Sequence, residues 1–222
     1  MKHVFLDTET TGLEAERGHR IVEVVAIAYE NRRQDGEFHS FCNPERAIDA
    51  QAQKVHGITP AFLQDKPVFA TIAEELAEFL RGNEIIIHNA EFDCAFLDAE
   101  FKLCKMKPVR DLCKITCSLE LARRRVTGLR HYRLEDLCRH FGVDDSARVT
   151  HNARLDAQLL AGVYYAMMRE QMPMTMRYEN PVANVAAVPV IAAEVSDDER
   201  AVHEKYLDVM ESENKVKPIW RR

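Results

Sequence analysis

The sequence lacks the features of a secreted, membrane-spanning or zinc-binding protein. Its six cysteines form no C-x-x-C pair and mostly lie in apolar stretches, so neither a zinc site nor a disulfide framework is indicated. No apolar run is long enough to cross a bilayer, and the N-terminus has no apolar signal segment. We therefore expect reduced thiols, no membrane contact and a cytoplasmic location.

An excess of positive charge is also absent. The 222 residues carry a formal net charge of -6, which argues against broad electrostatic capture of duplex DNA. One basic cluster, at residues 123–125 with Arg130, Arg133 and Arg139 nearby, is compatible equally with a phosphate-tracking surface and with an ordinary solvated one. The 46% hydrophobic content predicts one sizeable folded domain with a modest appendage.

The sequence does have acidic residues where apolar segments end. Asp7 closes the apolar run at residues 4–6, and the turn signal at residues 10–12 predicts that a strand ends here. Because side chains alternate across a strand, Asp7 and Glu9 point to the same face and can share a hard divalent cation. An isolated Asp-x-Glu is more often a solvent-facing strand end, so the pair needs further partners to indicate a site.

A third acidic residue follows a second buried strand. The β-branched run at residues 85–87 predicts that strand, and the helical spacing of apolar residues from Phe92 to Leu103 puts Asp93 in the first turn of the next helix. An acid in a first turn is also typical of simple stabilisation of the helix dipole. Asp93 alone therefore does not decide between the two interpretations.

The last pair of polar residues lies at the start of another predicted helix. An apolar residue recurs every four positions from Leu155 to Met167, with Asp156 beside this stripe. Two residues five positions apart on one helix point about 140° away from each other. His151 and Asp156 can therefore act together only if His151 lies on the loop before the helix and Asn152 is the N-cap. Such a histidine suits a general base, although an exposed loop histidine is the simpler alternative.

Five short motifs follow one another in a fixed order. They are Asp7-Thr8-Glu9-Thr10-Thr11-Gly12, Val55-His56-Gly57-Ile58, His88-Asn89-Ala90-Glu91-Phe92-Asp93, the segment 118–123, and the segment 151–158. Together they resemble the DEDDh family of 3′–5′ exonucleases, and within it the epsilon subunits of bacterial DNA polymerase III. The resemblance covers nearly the whole chain.

The resemblance implies roles for the residues already singled out. Asp7, Glu9, Asp93 and Asp156 would hold two divalent cations, Mg²⁺ or Mn²⁺, directly or through water. His151 would activate the attacking water. Asp7, Glu9 and Asp156 would also contact the substrate, a single-stranded or frayed DNA 3′ end.

Two further positions of the family touch the terminal nucleotide, and here they hold Gln51 and His56. His56 matches the family, whereas Gln51 replaces a glutamate and so keeps an acceptor while losing the charge. A second departure is Cys117, where the family commonly has aspartate, and we expect Cys117 to be a small buried residue.

Apolar patterning predicts three early strands, with the second and third at residues 21–29 and 37–42, as an antiparallel meander. A helix over residues 68–80, strands at residues 85–87 and 113–117, and mostly helical sequence follow. The expected fold is α/β: a ribonuclease H-like mixed five-stranded sheet flanked by helices.

The C-terminal part of the chain has a different pattern. We expect an exonuclease domain at residues 1–176, an extended linker at 177–195, and a polymerase-tethering tail at 196–222. Within the tail, Ser196 and Glu199 predict a capping box that begins a short helix.

Two interaction motifs follow from the resemblance. The segment 171–176 resembles a sliding-clamp peptide with anchors Gln171, Met174 and Met176, or is simply a methionine-rich helix exit. In the tail, Tyr206, Leu207 and Trp220 are the expected contacts to the catalytic subunit of the replicative polymerase, and docking on the chain's own domain is the alternative.

Three hypotheses on function remain. The first is a proofreading exonuclease that removes mismatched 3′ nucleotides as nucleoside 5′-monophosphates. The second is an RNA-trimming enzyme with the same chemistry, and the third is a non-catalytic module that stabilises a polymerase. The tail argues against the second, and the intact acidic set argues against the third.

Overall fold

A computed structural model of the protein describes residues 2–148, 151–169 and 196–214. The chain divides into two units, Met1–Met174 and Thr175–Arg222, each described by itself. Among the described residues, every helix is too short or too polar to span a membrane.

The first unit is built on a single five-stranded sheet. Its strands are β1 (His3–Thr10), β2 (Ile21–Glu30), β3 (Arg33–Phe41), β4 (Glu84–Ile87) and β5 (Lys114–Cys117). The spatial order is β3-β2-β1-β4-β5. β1 runs antiparallel to β2 and parallel to β4, β2 is antiparallel to β3, and β4 is parallel to β5. The predicted meander and mixed sheet are confirmed.

Helices cover both faces of this sheet. They are α1 (Ala50–His56), α2 (Pro60–Leu63), α3 (Phe69–Leu80), α4 (Ala90–Leu103), α5 (Ser118–Arg125), α6 (Leu134–Phe141) and α7 (Ala153–Arg169). Side chains alternate along β1, so Val4 and Leu6 enter the apolar cluster with α3 and α4, whereas Phe5 enters the cluster with α5, α6 and α7. The α/β architecture of the prediction is therefore correct.

The ends of β1 and β4 create the opening in which polar residues gather. The pairing of β1 with β4 stops at Leu6 and Ile87, while β2 continues to pair with β1 as far as Thr10. The predicted end of β1 at the turn signal of residues 10–12 is confirmed, because the ten-residue β2 pairs with β1 as far as Thr10. Beyond Leu6, the β4 side of β1 has no strand partner within the described residues.

Local predictions around the helices have mixed outcomes. Asn152 caps α7 as expected, since its side-chain oxygen accepts from the backbone N–H of Leu155 at 3.0 Å. The helix predicted from apolar spacing over residues 92–103 is confirmed as α4, with Asp93 in its first turn, although Leu103 is 65% exposed. Glu100 is buried on that helix instead, because the guanidinium of Arg20 donates to both of its carboxylate oxygens at 2.7 and 2.8 Å.

The described part of the second unit is one helix, α8 (Asp197–Asn214), with 18 residues rather than the short helix predicted. The capping box is confirmed: the backbone N–H of Ser196 donates to the Glu199 carboxylate at 3.0 Å, and the Glu199 N–H donates to the Ser196 hydroxyl at 3.3 Å. Tyr206 is 63% exposed and Leu207 is 2% exposed.

Candidate active site

Four different elements of the first unit deliver polar side chains to one cavity of about 1000 Å³. β1 contributes Asp7 and Glu9 on the same face, α4 contributes Asp93 from its first turn, and α7 contributes Asp156 from its first turn. His151 comes from the loop before α7. All five line the cavity, so residues up to 149 positions apart in sequence are gathered at one end of the sheet.

Within this cavity, ligand atoms from different elements come close together. Glu9, His151 and Asp156 each offer an atom, and these atoms lie within 4.8 Å of one another. Asp93 is buried on the same wall, where its carboxylate accepts a hydrogen bond of 2.7 Å from the hydroxyl of Thr8. Thr8 therefore orients Asp93, while the residues before and after Thr8 on β1, Asp7 and Glu9, carry two more of the four carboxylates.

Removal from water and mutual repulsion make these carboxylates reluctant to ionise. Removal from water, with the charges of Asp93, Glu9 and Asp156 added, raises the pKa of Asp7 well above its usual range. Burial and nearby carboxylates raise the pKa of Glu9 to about 8, and burial raises that of Asp93 to about 7. Nearby positive charge lowers the repulsion between these carboxylates and favours their ionised forms, and a divalent cation supplies such charge.

Arg148 supplies positive charge to the site and was missed by the sequence analysis. Its guanidinium donates to the two carboxylate oxygens of Asp156 at 2.6 and 2.9 Å, and to Glu135 at 2.5 Å. The same group lies 2.9 Å from Nδ1 of His151. Burial acts to raise the pKa of Asp156, but hydrogen bonds from His151 and Arg148 outweigh it and lower that pKa. The only signal in the sequence was the position of Arg148 three residues before His151.

The donor set fits a hard divalent cation. Carboxylate oxygens are the ligands that Mg²⁺ and Mn²⁺ prefer, and one imidazole is compatible with Mn²⁺. The bidentate contact of Arg148 with Asp156 shows that this carboxylate accepts a cationic partner on the cavity side. The same oxygens are therefore available for metal binding once the guanidinium moves.

A second, smaller cavity of about 370 Å³ adjoins the first and shares Thr8, Glu9 and Phe92 with it. Gln51 and His56, both singled out from the sequence, line this smaller cavity. The backbone N–H of Ile58 donates to Nδ1 of His56 at 2.9 Å, which leaves Nε2 to carry the proton of the neutral ring. This Nε2 is buried and makes no regular hydrogen bond among the described residues, although the backbone of Thr10 acts on the ring as a weak acceptor.

The other predicted positions have different outcomes. Cys117 ends β5 and is partly exposed, so its prediction as a buried residue is wrong; it is the last residue of an edge strand. Gln171, Met174, Met176 and Trp220 lie outside the described residues.

Comparison with known proteins gives the family. The sequence model of the exonuclease family (RNase_T) matches residues 4–164. The chain is 39% identical over 240 residues to DNA polymerase III subunit epsilon of Salmonella typhimurium, covering 99% of this chain and 97% of the relative. It is 39% identical over 238 residues to the same subunit of Escherichia coli K12, covering 99% and 97%. The Rickettsia prowazekii subunit is 45% identical over 170 residues, covering 75% and 74%.

Solved structures with low sequence identity share the fold. Exonuclease X in complex with 5′ overhanging duplex DNA aligns with a TM-score of 0.60 at 24% identity, covering 76% of this chain and 92% of that one. E. coli exonuclease I in complex with a dT13 oligonucleotide aligns with a TM-score of 0.65 at 20% identity, covering 77% and 41%. The chain therefore belongs to the exonuclease family, and it is a metal-dependent 3′–5′ exonuclease related to the DNA polymerase III epsilon subunits.

Proposed function

We propose that this exonuclease proofreads DNA synthesis by hydrolysing the 3′-terminal phosphodiester with two divalent cations, releasing nucleoside 5′-monophosphates as a subunit of a replicative polymerase. The observation that carries the proposal is the convergence of four carboxylates and His151 on one cavity. Relatives that match 99% of the chain at 39% identity are named as subunits of a DNA polymerase, which favours DNA over RNA as the substrate.

The four carboxylates have different proposed roles in binding the two cations. Mg²⁺ or Mn²⁺, once bound, would supply the charge that activates a water molecule and stabilises the leaving 3′ oxygen. The charges of Asp93, Glu9 and Asp156 all raise the pKa of Asp7, so Asp7 lies close to the other three carboxylates. This position suits a residue that is shared between two cations. Glu9 and Asp156 share the closest ligand set, and Asp93 acts directly or through water, held by Thr8.

His151 is the proposed general base. The carboxylates are committed to cations, so the imidazole is the group left to take the proton of the attacking water near neutral pH. Its side chain is 46% exposed and sits on the loop before α7, so it can turn toward a water molecule without unpacking the helix. Its Nδ1 lies 3.4 Å from the carboxylate of Asp156, which helps to hold an imidazolium once formed.

The smaller cavity suits the terminal nucleotide. It opens beside Glu9, so a nucleotide bound there has its phosphate next to the carboxylate cluster. His56 offers a buried Nε2–H, which makes no regular hydrogen bond in the described part of the chain, to a sugar or base oxygen, and the exposed side-chain amide of Gln51 offers both a donor and an acceptor. An unpaired 3′ nucleotide reaches this cavity more readily than a paired one, which would favour mismatched ends.

Tethering to the polymerase is assigned to the tail, residues 196–222, behind a linker at residues 177–195 and an exonuclease domain at residues 1–176. The net charge of -6 supports delivery of the 3′ end by a partner rather than independent capture of DNA. Tyr206 is 63% exposed on α8, which suits such a contact, whereas Leu207 is buried. A sliding-clamp contact through the segment 171–176 remains part of the proposal.

Degradation assays test this function directly. A primer–template with a mismatched 3′ end, its matched counterpart and a single-stranded RNA are incubated with Mg²⁺ or Mn²⁺, and products are identified by mass spectrometry. We expect nucleoside 5′-monophosphates, released fastest from the mismatched primer. Faster release from RNA would point instead to an RNA-trimming enzyme, and absence of release from all three would leave only a non-catalytic role.

The polymerase partnership has its own test. The full chain and a version lacking residues 196–222 are each co-expressed with the replicative polymerase subunit and purified. Association only with the full chain supports the tether, whereas equal recovery of both forms would contradict it.

A further inference from the structure

The arginines at residues 123–139 separate into two groups in the structure. Arg124 and Arg139 form ion pairs of 3.5 Å with Glu120 and Asp136, and neither lines the large cavity. Arg125 packs inward, with its guanidinium 2.7 Å from the sulfur of Met168. These three arginines are therefore used in the fold or at the solvated surface.

Arg123, Arg130 and Arg133 form the second group. All three are exposed and line the cavity that contains the carboxylate cluster. Within the described part of the chain, none of the three has a carboxylate partner, although the protein has an excess of acidic residues. Three exposed guanidinium groups that line one cavity without a paired carboxylate indicate an anionic ligand rather than a contribution to folding.

The loop that carries two of these arginines is held in place. The hydroxyl of Tyr132, which lies between Arg130 and Arg133, donates to the backbone oxygen of Val126 at 2.9 Å. Tyr132 is itself half-buried and lines the same cavity, as does His131. Aromatic side chains between guanidinium groups are the combination that binds single-stranded nucleic acid, through base stacking and phosphate contacts.

The direction of the strand follows from the two cavities. If the terminal nucleotide occupies the smaller cavity of about 370 Å³, the scissile phosphate lies at the shared boundary of Thr8, Glu9 and Phe92. The rest of the strand then leaves through the larger cavity, which these three arginines line. We propose that Arg123, Arg130 and Arg133, the basic wall, bind the phosphates of the DNA strand upstream of the scissile bond. This inference rests on the proposed function and extends it to the single-stranded part of the substrate.

The chain offers a matched control for the experiment. The test variant carries Arg123→Gln, Arg130→Gln and Arg133→Gln, and the control carries Arg124→Gln, Arg139→Gln and Arg154→Gln. Both lose three positive charges, but the control arginines are exposed and form ion pairs away from the cavity, with Arg154 bound to Glu37 at 2.7 Å. General loss of charge therefore affects both variants equally.

The measurement is KM at several salt concentrations, with Mg²⁺ saturating, for a DNA single strand of about 12 nucleotides and for a dinucleotide. Each phosphate contact to a single strand contributes about 0.7 to the slope of log affinity against log salt, so loss of the basic wall should lower the slope by about 2. The control should keep most of the wild-type slope. The test variant should also lose at least about tenfold more catalytic efficiency on the long strand than on the dinucleotide.

The outcomes separate this inference from the proposed function. Equal slopes for test and control variants, or equal losses on the strand and the dinucleotide, would overturn the basic wall while leaving the exonuclease intact. A wild-type protein that hydrolyses neither DNA would overturn the proposed function and the inference together. If the triple variant fails to fold, single substitutions serve, each with an expected fall in slope of about 0.7.

Discussion

Replacement of Arg148 by glutamine should tighten the binding of a divalent cation while it destabilises the metal-free protein. Arg148 makes its two contacts with Asp156 at 2.6 and 2.9 Å, and its side chain is 9% exposed. A cation that binds Asp156 has to displace this guanidinium or share the carboxylate with it. Arg148 is thus a competitor for the metal site in the absence of metal.

The size of the change in metal affinity can be worked out from the attraction between Arg148 and Asp156. Two unit charges about 4 Å apart interact by about 4 kcal/mol at an effective dielectric constant of about 20. The glutamine side chain and entering water form hydrogen bonds that replace part of the lost attraction. We therefore expect the free energy of Mn²⁺ binding to improve by about 1.4 to 3 kcal/mol, which is a gain in affinity of about tenfold to a hundredfold. In the metal-free variant, the loss of the Arg148 contact with Asp156 should lower the free energy of unfolding by about 3 kcal/mol, which corresponds to a fall in Tm of roughly 6 to 12 °C.

The assay is isothermal titration with Mn²⁺, paired with thermal unfolding in chelator and in excess Mn²⁺. Arg154→Gln is the control, because it removes an exposed arginine of α7 whose partner Glu37 lies outside the carboxylate cavity. We expect this control to leave Mn²⁺ affinity unaltered. Weaker Mn²⁺ binding by Arg148→Gln would refute the reasoning, because Arg148 would then organise the metal site instead of competing for it.

Three further predictions concern the carboxylate cavity. His151→Ala should keep Mn²⁺ affinity and lower kcat by about 10² to 10⁴, since only the proton acceptor is lost; unaltered turnover in steady-state kinetics would remove His151 from the reaction. Asp7→Asn should raise the Tm of the metal-free protein, because a buried carboxyl group repelled by its neighbours becomes a neutral amide, and should abolish Mn²⁺ binding by titration; retained binding would contradict the central place of Asp7. Folded-state pKa values of about 8 for Glu9 and about 7 for Asp93 lie above the unfolded ones, so the folded protein holds extra protons. The metal-free protein should therefore lose stability, and Mn²⁺ affinity should rise, as the pH goes from 6 to 8.5; a flat profile in melting and titration experiments would contradict those shifts.

Much of the fold was predictable because its signals are local. The apolar runs around residues 4–6 and 85–87 are short, β-branched or aromatic, and bounded by turn residues, and they form β1 and β4. The N-cap at Asn152 depends on a contact three residues away, and it was correct for the same reason. Patterns within one turn or one strand are visible in a sequence without knowledge of the tertiary structure.

The errors arose where distant residues decide the outcome. Cys117 is only partly buried because β5 is an edge strand of the sheet, and nothing within β5 encodes that position. Glu100 is buried on α4 because Arg20, 80 residues away, neutralises it. In the site, Arg148 was missed because its partners Asp156 and Glu135 meet only after folding, and an arginine outside any motif resembles a surface residue.

Diffraction from crystals grown with Mn²⁺, recorded at a wavelength where manganese scatters anomalously, tests the central claim most directly. We expect two anomalous peaks in the cavity of about 1000 Å³, with Asp7 between them and Glu9 and Asp156 among the ligands. Anomalous density confined to sites outside that cavity, in a protein that still hydrolyses DNA, would contradict it.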